Sequence, residues 1–352
     1  MKFPARAVAA AVSLFLLAGF ASPAHAAKYK IRWFVGHQNP DYFEIAAKDF
    51  KRDVEARTHG DVAVEIMTAV NDETHNGASS LPQIATMVEN GEAEMGHSFT
   101  DVVGGLDPRL YAFEAPYLFR DNRHMEGVLE GPIGEELLEG FRAHKMLGLS
   151  FTYSGGPSVI ATVDREIRRP EDLKGLKVGV YGDAVNVAWL KSLGATPVAI
   201  QHELTSIRGL QRSGALDAVV ITWQNFSRTA LQHNFKRMNL PGSTYLVSVT
   251  YINEKFFNSM PAEYQAIIKE ASRTAGRIER AKTIELNENA KRAMVGKGVR
   301  PIAITGDAKS RFVQALRPAY ENSIAGLIGK DFIERIRNTG DGPEVPAPVA
   351  AK

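Results

Sequence analysis

The chain has 352 residues, 44% of them apolar and 23% charged, with 42 Lys and Arg set against 40 Asp and Glu. That length can hold two domains of ordinary size, and the composition is that of a folded protein with a substantial core; no basic patch with interleaved aromatics occurs, which argues against nucleic acid as a partner. The absence of cysteine excludes disulfides, thiol nucleophiles and iron–sulfur clusters.

The N-terminus carries Lys2 and Arg6, the apolar run Val8–Phe20 and then Ala24-His25-Ala26. This is the charged, apolar and small-residue succession of a secretory signal peptide over residues 1–26, with Ala27 as the mature first residue and the periplasm as destination. The apolar run is short for a membrane span, and no Cys stands at the cleavage point to anchor a lipid. Loss of Lys2 and Arg6 leaves 40 basic residues against 40 acidic ones, a near-neutral mature protein.

After the signal peptide, Lys30–Gly36 predicts a strand, Tyr42–Arg57 an amphipathic helix, Val62–Met67 a strand, Leu81–Asn90 a helix and Glu94–Phe99 a third strand. The pattern returns later: strand Leu176–Tyr181, helix Ala184–Ser192 stopped by Gly194, strand Thr196–Ile200, helix Thr205–Arg212 stopped by Gly214, strand Leu216–Thr222. Strands alternating with helices of this length point to parallel sheets covered on both faces, whose ligands sit at the carboxyl ends of strands. The units also close alike, with ENGEAEMGHS in the first and RSGALDAVVI in the second. The reading is an α/β fold of two related lobes, 27–150 (with part of 240–300) and 151–240 (with part of the C-terminal region), facing each other across a cleft that ligand closes by a hinge. A single large doubly wound domain is the competing arrangement.

From Pro261 to Lys297 the chain runs through Ala, Glu, Arg and Lys with Gly276 its only interruption before Gly296. About 30 helical residues rise roughly 45 Å, enough to cross both lobes, and no heptad seam is sustained as a coiled coil requires. From Thr339 the sequence TGDGPEVPAPVAAK reads as a disordered tail over 339–352.

No enzyme motif is present: no H-E-x-x-H, G-x-S-x-G or P-loop, and no G-x-G-x-x-G behind a strand. The nine His include no pair at metal-ligand spacing. His37, His97 and His202 fall near predicted strand ends, where structural hydrogen bonding competes with a ligand role. Asp72 and Glu73 lie in the turn-rich VNDETHNG, as a cap, a solvated loop or a charge facing a ligand amine. Asn225-Phe226-Ser227 fits a glycosylation sequon, a weak signal.

Four stretches together resemble the DctP-type solute-binding proteins of TRAP (tripartite ATP-independent periplasmic) transporters. RPEDLKGLKV (Arg169–Val178) is similar to the family's T-P-E-D-L-K-G-L-K-I, and Leu193-Gly194-Ala195-Thr196-Pro197-Val198 to its L-G-A-x-P-V. Glu114–Glu130 and the following Ile133–Leu137 resemble its "lPflFrd" segment, and Ile252–Ala271 the N-K-x-x-F-x-x-L-P stretch that opens a long helix. The resemblance covers Lys30 to Ile336 in the right order. It implies a two-lobed periplasmic-binding-protein fold and a receptor without catalytic residues or cofactor. Such a receptor closes on a small-molecule ligand and delivers it to a membrane permease driven by an ion gradient. Three other readings compete: a periplasmic sensor feeding a signalling partner, a secreted hydrolase or isomerase using the same cleft, and an ABC-type receptor, against which the long helix argues.

The chain departs from the family where ligand is held. The family's G-L-K-I-R-V places an Arg whose fork binds a ligand carboxylate; here Gly179 occupies that position. Its acidic residue after V-D-G has no match in Asp217-Ala218-Val219-Val220, nor its second Arg in Tyr153-Ser154-Gly155-Gly156. A buried carboxylate without a counter-charge is costly, so three arrangements stay open. The ligand is neutral or cationic and held by aromatics and acids; or its carboxylate rests on backbone N–H groups at Asp183–Asn186; or another Arg, such as Arg228, reaches in. The space at Gly179 also suits a larger ligand, and the expectation is a solute other than a simple dicarboxylate. By position, the pocket candidates are His37 and Gln38, Phe99 and Thr100, Tyr153 and Ser154, then Gly179, Tyr181 and Asp183, and Trp223, Gln224 and Asn225. Trp223 reads as an exposed stacking surface or as a core residue under the hinge, and Tyr245 and Ser248 as weaker candidates on a hinge strand.

Overall fold

The computed structural model describes residues 26–35, 41–68, 81–200, 206–240, 244–304 and 306–343. The expected signal peptide up to residue 25, and the candidates His37, Gln38, Asp72, Glu73 and His202, lie outside them.

The strands are β1 (Tyr29–Phe34), β2 (Val62–Met67), β3 (Met95–Phe99), β4 (Met146–Pro157), β5 (Val159–Thr162), β6 (Lys177–Tyr181), β7 (Thr196–Ile200), β8 (Ala218–Ile221), β9 (Arg237–Leu240), β10 (Tyr245–Asn253) and β11 (Arg300–Ala303). They form two sheets of order β2-β1-β3-β10-β4 and β11-β9-β5-β8-β6-β7. In each, the first strand of a βαβαβ unit lies between the second and third: β1 pairs parallel with β2 and β3, and β6 with β7 and β8. The unit is closed in each sheet by an antiparallel neighbour, β10 on β3 and β5 on β8. The fold is therefore α/β and two-lobed, and the sheets are mixed rather than wholly parallel. The antiparallel strands are the ones that change lobes.

β4 runs into β5 through Ser158, and the chain returns from β9 to β10; Ser158 N donates to Thr244 O at 2.9 Å, tying the crossings together. The β4–β10 register slips between Leu246 and Val247. Opposite that slip are Gly155 and Gly156, with φ of +117° and +75°. A Cβ on Gly155 would collide with Thr222, so glycine lets the hinge strand pass against the second lobe in a conformation other residues adopt only with strain.

The long helix spans Ala262–Gly296, 35 residues and about 52 Å. It packs along the Asp41–Arg57 helix and β4 of the first lobe and reaches the Trp223–Arg228 helix of the second. Gly276 is where it meets β4: a Cβ there would sit 2.8 Å from Phe151 O. One turn on, Arg280 is 1% exposed and donates to both Glu126 oxygens, to Glu130 and to Phe151 O. Beside it the wholly buried Glu279 accepts from Tyr153 N at 2.7 Å and from the Thr283 hydroxyl.

The described part of the expected disordered tail, 339–343, is tied down. Arg120 donates to Thr339 O and pairs with Asp341, while Gly342 N donates to Arg123 O. Gly127 gives that segment room, since a Cβ on it would lie 2.1 Å from Gly340 O. Hydrogen bonding thus orders a stretch whose composition alone reads as loop.

Candidate functional site

β3 of the first lobe ends at Phe99 and β6 of the second at Tyr181. Two residues beyond each end stands an acid, Asp101 and Asp183. Asp183 is the N-cap of the Ala184–Ser192 helix: its Oδ1 accepts from Asn186 N at 2.8 Å, which satisfies an otherwise orphaned helix-start N–H. From the first lobe the 3₁₀ segment Pro108–Glu114 runs across to the same helix. Asn186 Nδ2 donates to Glu114 Oε2 at 2.9 Å and to Asp183 Oδ2 at 2.6 Å, and Trp189 Nε1 fixes the amide by donating to Asn186 Oδ1 at 2.8 Å. One amide therefore bridges carboxyls from the two lobes.

All three acids are withdrawn from water: Glu114 is 2% exposed, Asp183 7% and Asp101 9%. Burial, then the charges of Asp183 and Asp101, push the Glu114 carboxyl well above its usual range, against a lowering by Asn186. Burial, with a contribution from Asp101, raises Asp183 to about 6 despite its hydrogen bonds to Asn186. The Tyr111 hydroxyl is raised by burial and then by Asp183 and Asp101, which places this ring in the field of the same acids. Chemically, the arrangement is a concentration of hydrogen-bond acceptors and negative potential at the carboxyl ends of strands, where ligands of such sheets bind.

The other sequence candidates fall in different surroundings. Tyr153 is fully buried in the hinge, its hydroxyl donating to Glu126 Oε1 at 2.9 Å. Ser154 is hydrogen-bonded to Ser248, and Thr100 Oγ1 donates to Val247 O at 3.1 Å. Tyr245 donates to Asn122 Oδ1 at 2.9 Å. The Thr100 and Ser154 hydroxyls thus bond to β10, and the two tyrosine hydroxyls to the Asn122–Leu129 helix. His97 is wholly buried, its Nε2 lying 2.7 Å from Thr152 Oγ1. Phe99 is buried beside Phe43, with ring centroids 5.4 Å apart. Trp223, expected as an exposed stacking surface or a core residue, is 2% exposed and packs edge-on against Phe226, in a helix that lies against the long one. Gly179 lies mid-strand rather than at a strand end, and a Cβ there would meet Leu216 Cδ1 at 2.9 Å and Ile200 Cγ2 at 3.2 Å. The space it leaves is filled by apolar side chains, and Tyr181 shares their core cluster.

At the end of β8, Thr222 caps the Trp223–Arg228 helix, accepting from Asn225 N at 3.3 Å, and Gln224 N donates to Asn287 Oδ1 of the long helix at 3.3 Å. Arg228 is half-buried in that helix's last turn. The helix start at Asp183–Asn186, which the sequence offered for a ligand carboxylate, is occupied by the Asp183 side chain and faced by further acids. A second carboxylate there meets like charge. Asp101, Glu114, Tyr111 and the side chain of Asn186 were not among the sequence candidates. Asp101 carried a usable signal, standing two residues past a strand end as Asp183 does; Glu114 carried none, because only the tertiary path of Pro108–Glu114 brings it in.

The DctP model, bacterial extracellular solute-binding protein family 7, matches residues 36–326. The chain belongs to this family. Among curated relatives, a solute-binding protein of Verminephrobacter eiseniae is 27% identical over 297 residues, 84% of each chain. The 2,3-diketo-L-gulonate-binding periplasmic protein of Escherichia coli K12 is 25% identical over 280 residues, 78% of this chain and 81% of its own. Two TRAP periplasmic solute-binding proteins of known structure share the fold. One from Ochrobactrum anthropi has a TM-score of 0.79 at 19% identity, covering 88% of this chain and 94% of its own. One from Roseobacter denitrificans, with β-D-glucuronate bound, has a TM-score of 0.77 at 20% identity, covering 88% and 100%. Family membership makes this a solute-binding protein of the extracellular compartment, and no described helix is long and apolar enough to cross a membrane.

Proposed function

We propose that this protein is an exported receptor that closes its two lobes on a small organic solute and passes it to the membrane subunits of a TRAP-type transporter. The observation that carries the closure is the bridge from Glu114 through Asn186 to Asp183. It spans the lobes at strand ends, while paired strands and the long helix connect the lobes elsewhere. Hinge motion about such connections is the usual response of two-lobed receptors to ligand. The relatives' ligands, 2,3-diketo-L-gulonate among them, support a small polar metabolite. The acids at the Ala184–Ser192 helix start and the apolar filling at Gly179 argue against a simple dicarboxylate, whose two charges need cationic partners.

Thermal unfolding of the protein with equal concentrations of dicarboxylates, sugar acids, polyols, amino acids and amines tests this. A true ligand at 100 times its Kd adds about 2.7 kcal/mol, seen as a raised Tm, and small-angle scattering shows a smaller radius of gyration with it. Stabilisation by succinate or malate in preference to every other class overturns the exclusion of dicarboxylates. Deletion of an adjacent permease gene with no effect on uptake of the stabilising solute overturns the transport role.

A further inference from the structure

We infer a second binding site, outside the strand-end cleft, for a small organic anion whose charge is carried on an apolar or aromatic body. A cavity of about 870 Å³ lies between Pro116 and Tyr117, the helix Asp307–Ala319 and the helix Lys330–Arg337. None of its lining residues stands at a strand end. Separate contacts hold its walls. The Asp307–Ala319 helix packs on the Ala184–Ser192 helix of the second lobe, and its Arg311 pairs with Glu171 at 3.1 Å. The Lys330–Arg337 helix is fixed to the first lobe, with Ile336 O 2.9 Å from His124 Nε2 and Arg335 paired with Glu136. Between the two helices stand Pro318 and a π-helical turn at Tyr320–Ile324, an irregularity often found at functional sites. The Tyr320 hydroxyl ties this break to the first lobe by donating to Pro116 O at 2.8 Å. A cavity between walls fixed in this way is preformed, and its size falls within the roughly 300–1,000 Å³ of small-molecule sites.

Four cations, Lys309, Arg317, Lys330 and Arg337, line the cavity beside one acid, Glu321. Arg317 is paired with Glu321, and Arg337 with Glu334. Lys309 and Lys330 have no carboxylate partner among the described residues. The Lys309 ammonium instead lies 5.8 Å from the centre of the Tyr117 ring, and the Arg337 guanidinium 5.1 Å from that of Tyr320. The rest of the lining includes apolar side chains. Leu316 is buried, and Val313, 49% exposed, is the most exposed large apolar side chain among the described residues. Tyr117 is held at a φ of +60°, in the left-handed region that costs any residue with a Cβ. Its hydroxyl is buried without a hydrogen-bond partner among the described residues. Strained backbone and unserved polar groups concentrate at binding sites. A carboxylate or sulfonate reaches the two unpaired ammonium groups by charge-assisted hydrogen bonds, while a ring or branched chain covers Val313 and meets the tyrosine faces. An inorganic anion uses only the charges and leaves the apolar lining in water, so charge alone does not fill this site.

The probe is anilinonaphthalene sulfonate, an aromatic sulfonate whose fluorescence rises in apolar surroundings. The protein, produced from the full-length chain and titrated at low ionic strength, is expected to bind it saturably. The Kd is expected to rise about tenfold or more in K309E/K330E and in V313D, while far-UV circular dichroism shows both variants folded. Benzoate and phenylacetate are expected to displace the probe, and sulfate at equal ionic strength is expected not to. Should a variant not fold, photolabelling of the wild type with azidobenzoate, followed by peptide mass spectrometry, locates the site, with label expected on Tyr117 or between Lys309 and Glu321. Unchanged affinity in the variants, or label confined to the strand ends, overturns the site. Displacement by sulfate as readily as by benzoate overturns the ligand class. Absence of saturable binding overturns both and leaves the receptor reading standing, since the strand-end cleft takes no part in this site.

Discussion

Glu114 shows how much one side chain can concentrate. Its carboxyl is buried, held by a single amide and repelled by Asp183 and Asp101, so in the ligand-free protein it is a source of instability. E114Q keeps the shape and the hydrogen-bonding reach while removing the charge. The expected outcome is a ligand-free Tm equal to or above wild type at pH 7 to 8, by an amount equivalent to about 1–3 kcal/mol; a lower Tm would show that the acid is structurally required. Gly179 supports a second prediction at this scale. Restoring the family's Arg there drives a charged side chain into Leu216 and Ile200, with first contact at 2.9 Å. G179R is expected to lose about 2–4 kcal/mol in chemical denaturation and to gain no binding of succinate by calorimetry. Recovered dicarboxylate binding would place the side chain in the cleft after all.

At the level of elements, the long helix is held to β4 by contact and by charge. Alanine is about 1 kcal/mol better than glycine inside a helix, which by itself favours G276A. Against this, a Cβ at Gly276 meets Phe151 O at 2.8 Å and Ser150 Oγ at 3.3 Å. Backbone cannot swing aside, and overpacking of this kind costs about 1–3 kcal/mol. The clash wins, and G276A is expected to unfold at lower urea concentration than wild type. Arg280 makes the complementary point: removing it leaves Glu126 buried without its cation, a loss of about 3–5 kcal/mol, whereas replacing both partners is far milder. Urea denaturation of R280M and of R280M/E126Q should show the double variant recovering much of the single variant's loss.

For the whole molecule, buried acids set the response to pH. Asp183 is raised to about 6 and Glu279 to about 8, in both cases chiefly by burial, the Glu279 shift being held back by its bonds from Thr283 and Tyr153. A carboxyl with a raised folded-state pKa contributes stability that is full below its unfolded value and lost as pH rises through its folded value. The ligand-free protein should therefore become more stable as pH falls from about 9 toward 5. E279Q should flatten that change over most of the interval, and D183N only its part below about pH 6. A Tm that is flat or falling over this interval in the wild type would mean that these acids are charged in the folded state.

The local periods of the chain determined its elements by themselves. The helix at Leu81–Asn90, the strand at Thr196–Ile200 and the long run ended by Gly296 were legible because side-chain spacing and glycine stops act within a few residues. The repeated βαβαβ order carried the two lobes, and four short stretches carried the family. Tertiary structure alone decided what the strand ends do. Trp223 and Tyr153 look like pocket residues by position, yet the crossover strands and the long helix bury them. Gly179 looks like vacated space, yet Leu216 and Ile200 fill it. Glu114, quoted in the sequence only as the start of a family-like stretch, reaches Asn186 because Pro108–Glu114 runs against the Ala184–Ser192 helix. Burial and charge proximity are sums over residues far apart in the chain, and no local spacing encodes them.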